Sequence, residues 1–153
     1  MNGAFFQALN DLLGNRTLWA PVAIWAAVQF WKFLSPLIFQ RRFEPSKLWS
    51  AGGMPSSHSA LVVALAVSAG MNAGFGSPVF AASVVLAMVV MYDAAGIRQA
   101  AGKQAQKINR IVEELLAGHP LSEEQLRELL GHTPLQVAMG GLIGALAGWL
   151  LNL

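Results

Sequence analysis

The chain contains no cysteine, and charged residues make up only 12% of its 153 residues. Without cysteine there is no disulfide framework and no thiolate metal site, and the redox compartment stays open. A formal net charge of +2 gives no support for a nucleic-acid partner. The first fifteen residues lack a basic start, and no small-residue cleavage site follows, so no signal peptide is expected. Apolar residues account for 55% of the chain, which is typical of a small polytopic membrane protein.

Four apolar stretches are predicted to cross the membrane. They cover residues 17–39, about 57–72, 77 or 78 to about 92, and 133–153. The second and third are near the roughly 17-residue minimum for a spanning helix. Residues 2–14 are amphipathic and too short to span, which predicts a helix lying in the interface. Two amphipathic helices are predicted between spans three and four, the second starting at a capping box formed by Ser122 and Gln125.

These elements predict an all-α integral membrane helical bundle that forms a single domain over residues 1–153. Gly140, Gly144 and Gly148 recur every four residues in the fourth span, which favours close packing within the bundle over dimerisation. Lys32 is the one charge in the first span. A lysine there either extends its ammonium to the interface or takes part in a polar site, and the sequence leaves both open.

Residues 52–59 join a glycine pair, a proline, three serines and a histidine immediately before the second span. Pro55 suits the first turn of a helix, and Ser56 and Ser57 are good capping residues. A helix start offers unpaired N–H groups and a positive dipole end, which together attract an anion. His58 would lie there, with an imidazole that can transfer protons near neutral pH. The alternative reading is an ordinary capped helix entry with an interfacial histidine.

The candidate polar residues are predicted to share one membrane face. Four spans place the 40–57 loop and the 93–132 segment on one side, and the 73–76 turn and both chain ends on the other. Eight of the ten Lys and Arg residues lie on the first side, so the positive-inside rule predicts that it is cytoplasmic. Asp93, at the edge of an apolar span, needs a cationic or histidine partner. Arg98 reaches the same site only if the helix bends at Gly96 or Gly102.

Three stretches carry a resemblance to a known family. Residues 52–60 (GGMPSSHSA), 92–105 (YDAAGIRQAAGKQA) and 129–137 (LLGHTPLQV) resemble the divergent type-2 phosphatidic acid phosphatase family, which is related to vanadium-dependent haloperoxidases. The resemblance runs from about Asn15 to the C-terminus. It implies that Ser56 and Ser57 contact a phosphate and that His58 protonates the leaving oxygen. A later histidine of the superfamily attacks phosphorus.

This chain departs from the superfamily pattern near that second histidine. The usual Ser-Arg pair before it is absent, and position 136 is Gln where the superfamily has Asp. The assignment of His132 as nucleophile and of Asp93 as its orienting carboxylate therefore follows from their placement. Arg98 and Lys103 are expected to replace the missing phosphate clamp, together with Arg41 or Arg42. No metal or other cofactor is expected, because phosphohistidine chemistry requires none and no carboxylate cluster in the sequence suggests one.

The function predicted from the sequence is hydrolysis of a lipid phosphomonoester at the cytoplasmic face of the inner membrane, through a phosphohistidine. Phosphatidylglycerophosphate and phosphatidic acid are the expected kinds of substrate. The alternatives are a non-catalytic membrane protein that binds lipid phosphates, and a polyprenyl diphosphate phosphatase. A transporter has little support, because only Lys32 lies in mid-membrane. The expected partners are the substrate and membrane lipids, and a homo-oligomer is left open.

Overall fold

A computed structural model describes residues 2–43, 45–48, 53–116 and 132–153. Six α-helices occur in these ranges: α1 (Asn2–Leu13), α2 (Arg16–Gln40), α3 (Ser57–Ala73), α4 (Pro78–Ala95), α5 (Ile97–Leu116) and α6 (Pro134–Leu151). A 3₁₀ turn at Pro45–Leu48 lies between α2 and α3. The predicted all-α membrane bundle is confirmed. The second predicted amphipathic helix, with its capping box at Ser122 and Gln125, lies outside the described residues.

Three stretches are long and apolar enough to cross a membrane: Arg16–Gln40, Pro78–Glu113 and Pro134–Leu151. Many of their apolar side chains point away from the protein; on α4, Val85, Met88 and Val89 are each at least 60% exposed. Exposed apolar side chains in such number need a lipid environment. The chain is therefore an integral membrane protein.

The fourth apolar helix, α3, has 17 residues and is the centre of the bundle. It packs against α2, α4 and α6. Its neighbours shield it from lipid, so it can be short and can carry buried serines such as Ser59 and Ser68. An all-apolar surface is required only of a helix that faces the hydrocarbon.

Helices α3 and α6 run parallel in a constant register. The backbone of Gly140 lies against Ser56, that of Gly144 against Ala60, and that of Gly148 against Ala64. At Gly144 a Cβ would lie 2.9 Å from Ala60 Cα, closer than real Cβ atoms approach. Small residues every four positions on both helices thus let the backbones touch. The prediction that these glycines pack within the bundle is confirmed.

A polar cluster closes the far end of this helix pair. Asn152 Nδ2 donates to Ser68 Oγ at 2.8 Å, and Asn72 Nδ2 donates to Asn152 Oδ1 at 2.7 Å. The turn from α3 to α4 is compact, because the Phe75 ring lies over Gly70 and packs edge-on against Phe80. The cluster and the turn fix the register at the end of the bundle opposite to the start of α3.

The remaining helices continue from this core. Asn15 caps α2 by accepting from Leu18 N–H at 3.2 Å, and the Trp19 indole donates to Leu12 O of α1 at 2.9 Å. Only Gly96 separates α4 from α5, and the helical hydrogen bonds continue through it from Ala100 N–H to Gly96 O. The amphipathic α5 therefore extends directly from a membrane-spanning helix.

Candidate functional site

The start of α3 is formed by a capped and fully buried pair of serines. Ser56 is the N-cap, and its hydroxyl accepts from Ser59 N–H at 3.3 Å and from Ser59 Oγ at 3.0 Å. Pro55 precedes the cap, so the expectation that it occupies the first helical turn is wrong; Ser56 takes the cap position and moves the start to Ser57. The Ser57 hydroxyl is buried and has no hydrogen-bond partner among the described residues. A buried hydroxyl usually has a partner, so this one is open to a ligand oxygen.

The start of α6 is joined directly to the start of α3. Ser56 N–H donates to the backbone oxygen of Gln136 at 3.1 Å. Thr133 caps α6 and forms a capping box with Gln136, with Pro134 in the first turn. His132 lies immediately before this cap and is buried. The two helix starts singled out in the sequence therefore meet at one junction.

Gln136 also holds the His132 ring. His132 Nδ1 lies 3.2 Å from Gln136 Oε1, and the same oxygen accepts from Thr133 N–H at 3.1 Å. An amide oxygen can only accept, so the Nδ1 of a neutral His132 carries the proton and Nε2 carries the lone pair. The amide thus orients the His132 ring from Nδ1, and the orienting role of Asp93 stays a prediction.

Lys32 lies beside the loop that leads into α3. Its side chain is 3% exposed, and Nζ donates to Gln29 Oε1 at 2.9 Å. Gly53 has a φ of +91°, a value that favours glycine, and a Cβ there would lie 3.4 Å from Lys32 Cε. Gln29 Nε2 in turn donates to Leu48 O at 2.9 Å, which ties the preceding 3₁₀ turn to α2. Of the two roles left open for Lys32, the structure supports the one facing the polar interior.

The other predicted site residues lie on or next to α2, α3, α4 and α5. His58 is half-buried in the first turn of α3, and Asp93 is half-buried near the end of α4. Lys103 is exposed on α5, and Arg41 is exposed at the left-handed C-cap of α2, with a φ of 53°. Arg98 lies in the first turn of α5, and its side chain is outside the described part of the structure. Convergence of these residues on one pocket stays a prediction.

The sequence left the role of Lys32 open, and it indicated Gln136 only as a departure from the superfamily pattern. For Lys32 the available signal was a single charge in a span of otherwise uncharged residues, with Gln29 one helical turn before it on the same face. For Gln136 it was the capping box, whose third residue must fold back towards the helix start and hence towards His132. Neither signal predicts a contact with the 53–57 loop.

Comparisons with known proteins identify the family of the chain. The model of the Divergent PAP2 family matches residues 13–147, so the chain belongs to that family. It is similar to the uncharacterized membrane protein YuiD of Bacillus subtilis, with 37% identity over 147 residues, 89% of this chain and 93% of that protein. No solved structure matches the chain.

Proposed function

We propose that this protein is a membrane phosphatase that hydrolyses a lipid phosphomonoester at the junction of α3 and α6. The observation that carries the proposal is the Ser56–Gln136 backbone hydrogen bond, which joins a capped helix start to the start that bears His132. Family membership supports a phosphatase-related function.

Three groups at the junction suit a phosphate. The unpartnered Ser57 hydroxyl and the first N–H groups of α3 can donate to its oxygens, and the helix dipole adds positive potential. The Lys32 side chain packs with its Cε beside Gly53, where the loop backbone can approach a ligand closely. Buried cations and oriented N–H donors stabilise the charge that develops on transferred phosphoryl oxygens.

His132 and His58 would divide the chemistry between them. His132 Nε2 attacks phosphorus, the bond from phosphorus to the lipid alkoxide breaks, and His58 donates a proton to that leaving oxygen. Water then cleaves the phosphorus–nitrogen bond, with His58 as base, releasing inorganic phosphate and restoring both imidazoles. Because Nε2 of His132 is buried, the phosphate must displace the groups that cover it before attack.

The substrate follows from the face on which the site lies. If the basic face is cytoplasmic, a phospholipid precursor made there, such as phosphatidylglycerophosphate or phosphatidic acid, fits the site. A polyprenyl diphosphate recycled on the outer face fits less well. Asp93, Arg41, Arg98 and Lys103 remain the candidates for further contacts to the phosphate or to His132.

The test is phosphate release by the purified protein from a panel of phosphatidic acid, phosphatidylglycerophosphate and a polyprenyl diphosphate. We expect release from the first two, and we expect His132→Ala to abolish turnover while retaining phosphatidic acid binding. His119→Ala is the matched control, because it removes a histidine that has no part in the proposed mechanism.

Two results would contradict the proposal. Full activity of His132→Ala would move the nucleophile elsewhere, with His58 next in order. Binding of lipid phosphates without hydrolysis of any of them would make the protein a binder, the alternative favoured by the missing superfamily arginine and aspartate.

A further inference from the structure

An apolar groove runs along the outside of the bundle between α2 and α6. Its volume is about 630 Å³, within the usual range for small-molecule sites. Val28 is buried in its wall, and Ala27, Ile143 and Ala147 line it further. From position 23 to position 31 of α2 the groove follows about 12 Å of helix.

One end of the groove reaches the candidate site. Pro55, the residue before the α3 cap, lines it, and so does Trp31, which precedes Lys32 on α2. Trp31 is 46% exposed. An exposed indole near the end of a spanning helix can contact both lipid chains and headgroups. The groove is therefore apolar along its length. At one end it meets Pro55, which belongs to the loop that packs against Lys32 and leads into α3.

We infer that this groove holds an acyl chain of the lipid phosphate whose headgroup binds at the 53–57 loop. Charge complementarity selects the occupant, because a phosphate bound near Lys32 and Ser57 leaves its own acyl chain beside Pro55. Small residues keep the groove open: Ala27 and Ala147 take the places where larger side chains would close it. The inference rests on the proposed lipid-phosphate site, and it makes the acyl chain part of what the protein recognises.

The experiment uses phosphatidic acid with a diazirine at the end of one acyl chain, in phosphatidylcholine vesicles that contain the whole protein. Irradiation and peptide mapping should locate crosslinks on the groove segments of α2 and α6. Unlabelled phosphatidic acid should compete for them, and unlabelled phosphatidylcholine should not. Crosslinks spread evenly over all lipid-facing helices would overturn the inference.

A matched pair of variants tests the groove itself. Ala27→Phe fills it, whereas Ala26→Phe adds the same ring at the neighbouring exposed position, which does not line the groove. We expect Ala27→Phe to lower groove crosslinking by roughly 10-fold, because apolar pockets discriminate by about that factor per small group. Ala26→Phe should leave it unchanged. Equal crosslinking in the two variants would contradict the inference.

These measurements separate the two proposals, because crosslinking does not need turnover. Selective crosslinks without phosphate release would refute the phosphatase and keep the acyl-chain site. Phosphate release with no selective crosslinks would support the phosphatase and refute the acyl-chain site. A cysteine at Ala27 that forms disulfide-linked dimers in vesicles would show a second copy of the chain in the groove, and this would also overturn the inference.

Discussion

Lys32 is the buried charged residue that the proposed site uses to bind a phosphate. Its ammonium has an oxygen partner in Gln29, at 2.9 Å, and lies beside the loop that enters α3. Lys32→Met should weaken phosphatidic acid binding by roughly 10- to 100-fold, the equivalent of one charge-assisted hydrogen bond. Equilibrium binding to the detergent-solubilised protein measures the change.

Lys107→Met is the control for this change, because it removes the same charge from an exposed position of α5. It should bind phosphatidic acid as the unchanged protein does. An equal loss of affinity in both variants would show that Lys32 acts only through the net charge of this face.

In the proposed mechanism Gln136 is a positioning residue rather than a catalytic one, because it contacts the His132 ring and not the phosphate. Gln136→Leu removes the oxygen that orients the ring, so kcat should fall with little change in KM. Gln136→Glu keeps an acceptor for both His132 Nδ1 and Thr133 N–H and should restore most of the activity. Steady-state kinetics on phosphatidic acid measures both variants.

A purely structural role for Gln136 predicts a different pattern. Thr133→Ala removes the cap at the same helix start, at a cost of about 0.5–2 kcal/mol, but leaves the Gln136 amide in place. If Thr133→Ala lowers kcat as much as Gln136→Leu does, the amide matters only for the stability of α6.

Single residues were predictable from the sequence where their contacts are local. The Thr133–Gln136 box joins positions three apart, and its pattern alone predicts it. Lys32 and Gly53 meet across a loop, so no local pattern indicates that contact. Pro55 was predicted in the first turn of α3 but lies just before the N-cap, because proline and serine both favour helix starts and only the fold decides which of them caps.

At the scale of helices, the α3–α6 contact depends on backbone approach. Gly144→Ala would place a Cβ 2.9 Å from Ala60 Cα, so the helices must separate, at a cost of about 1–3 kcal/mol. Unfolding of the protein in mixed micelles by a denaturing detergent measures the loss.

Gly141→Ala is the matched control on the same helix. The nearest atom to its added Cβ is the flexible Met91 Cε at 3.3 Å, which can move aside, and alanine favours the helix. We expect unchanged or higher stability. If both variants are equally stable, the close packing of α3 on α6 is contradicted.

Helix positions followed from the sequence, but helix pairing did not. Apolar length and capping residues predicted α2, α3, α4 and α6 within a few residues, because both signals are local. The glycine repeat indicated that another helix packs closely against α6, but not which helix it is. The matching repeat on α3 (Ser56, Ala60, Ala64 and Ser68) is evident only once the register is known.

For the whole molecule, orientation in the membrane rests on charge counts and remains a prediction. The chain has no cysteine, so single cysteines can report it directly. Cysteines replacing Ser46 and Gly76 should react with an impermeant thiol reagent from opposite sides of a sealed vesicle, with Ser46 on the cytoplasmic side. Gly76 is a better site than Asn72, whose side chain is hydrogen-bonded.

Both outcomes of the labelling are informative. Reaction of both cysteines from one side would contradict the spanning α3. Reaction from reversed sides would keep the bundle and place the candidate site outside the cytoplasm. The substrate expectation would then move to lipids of the other leaflet.

The serines inside α3 also affect how the chain is built into the membrane. Before α6 is synthesised, Ser68 lacks its Asn152 partner and the small-residue face of α3 is not covered by α6, so α3 alone should be a weak insertion signal. In a glycosylation reporter we expect α3 alone to insert poorly and the α3–α4 hairpin to insert well; efficient insertion of α3 alone would refute this. Since Ser56 gains its Gln136 partner only when α6 arrives, the proposed binding site can form only after α6 has been made.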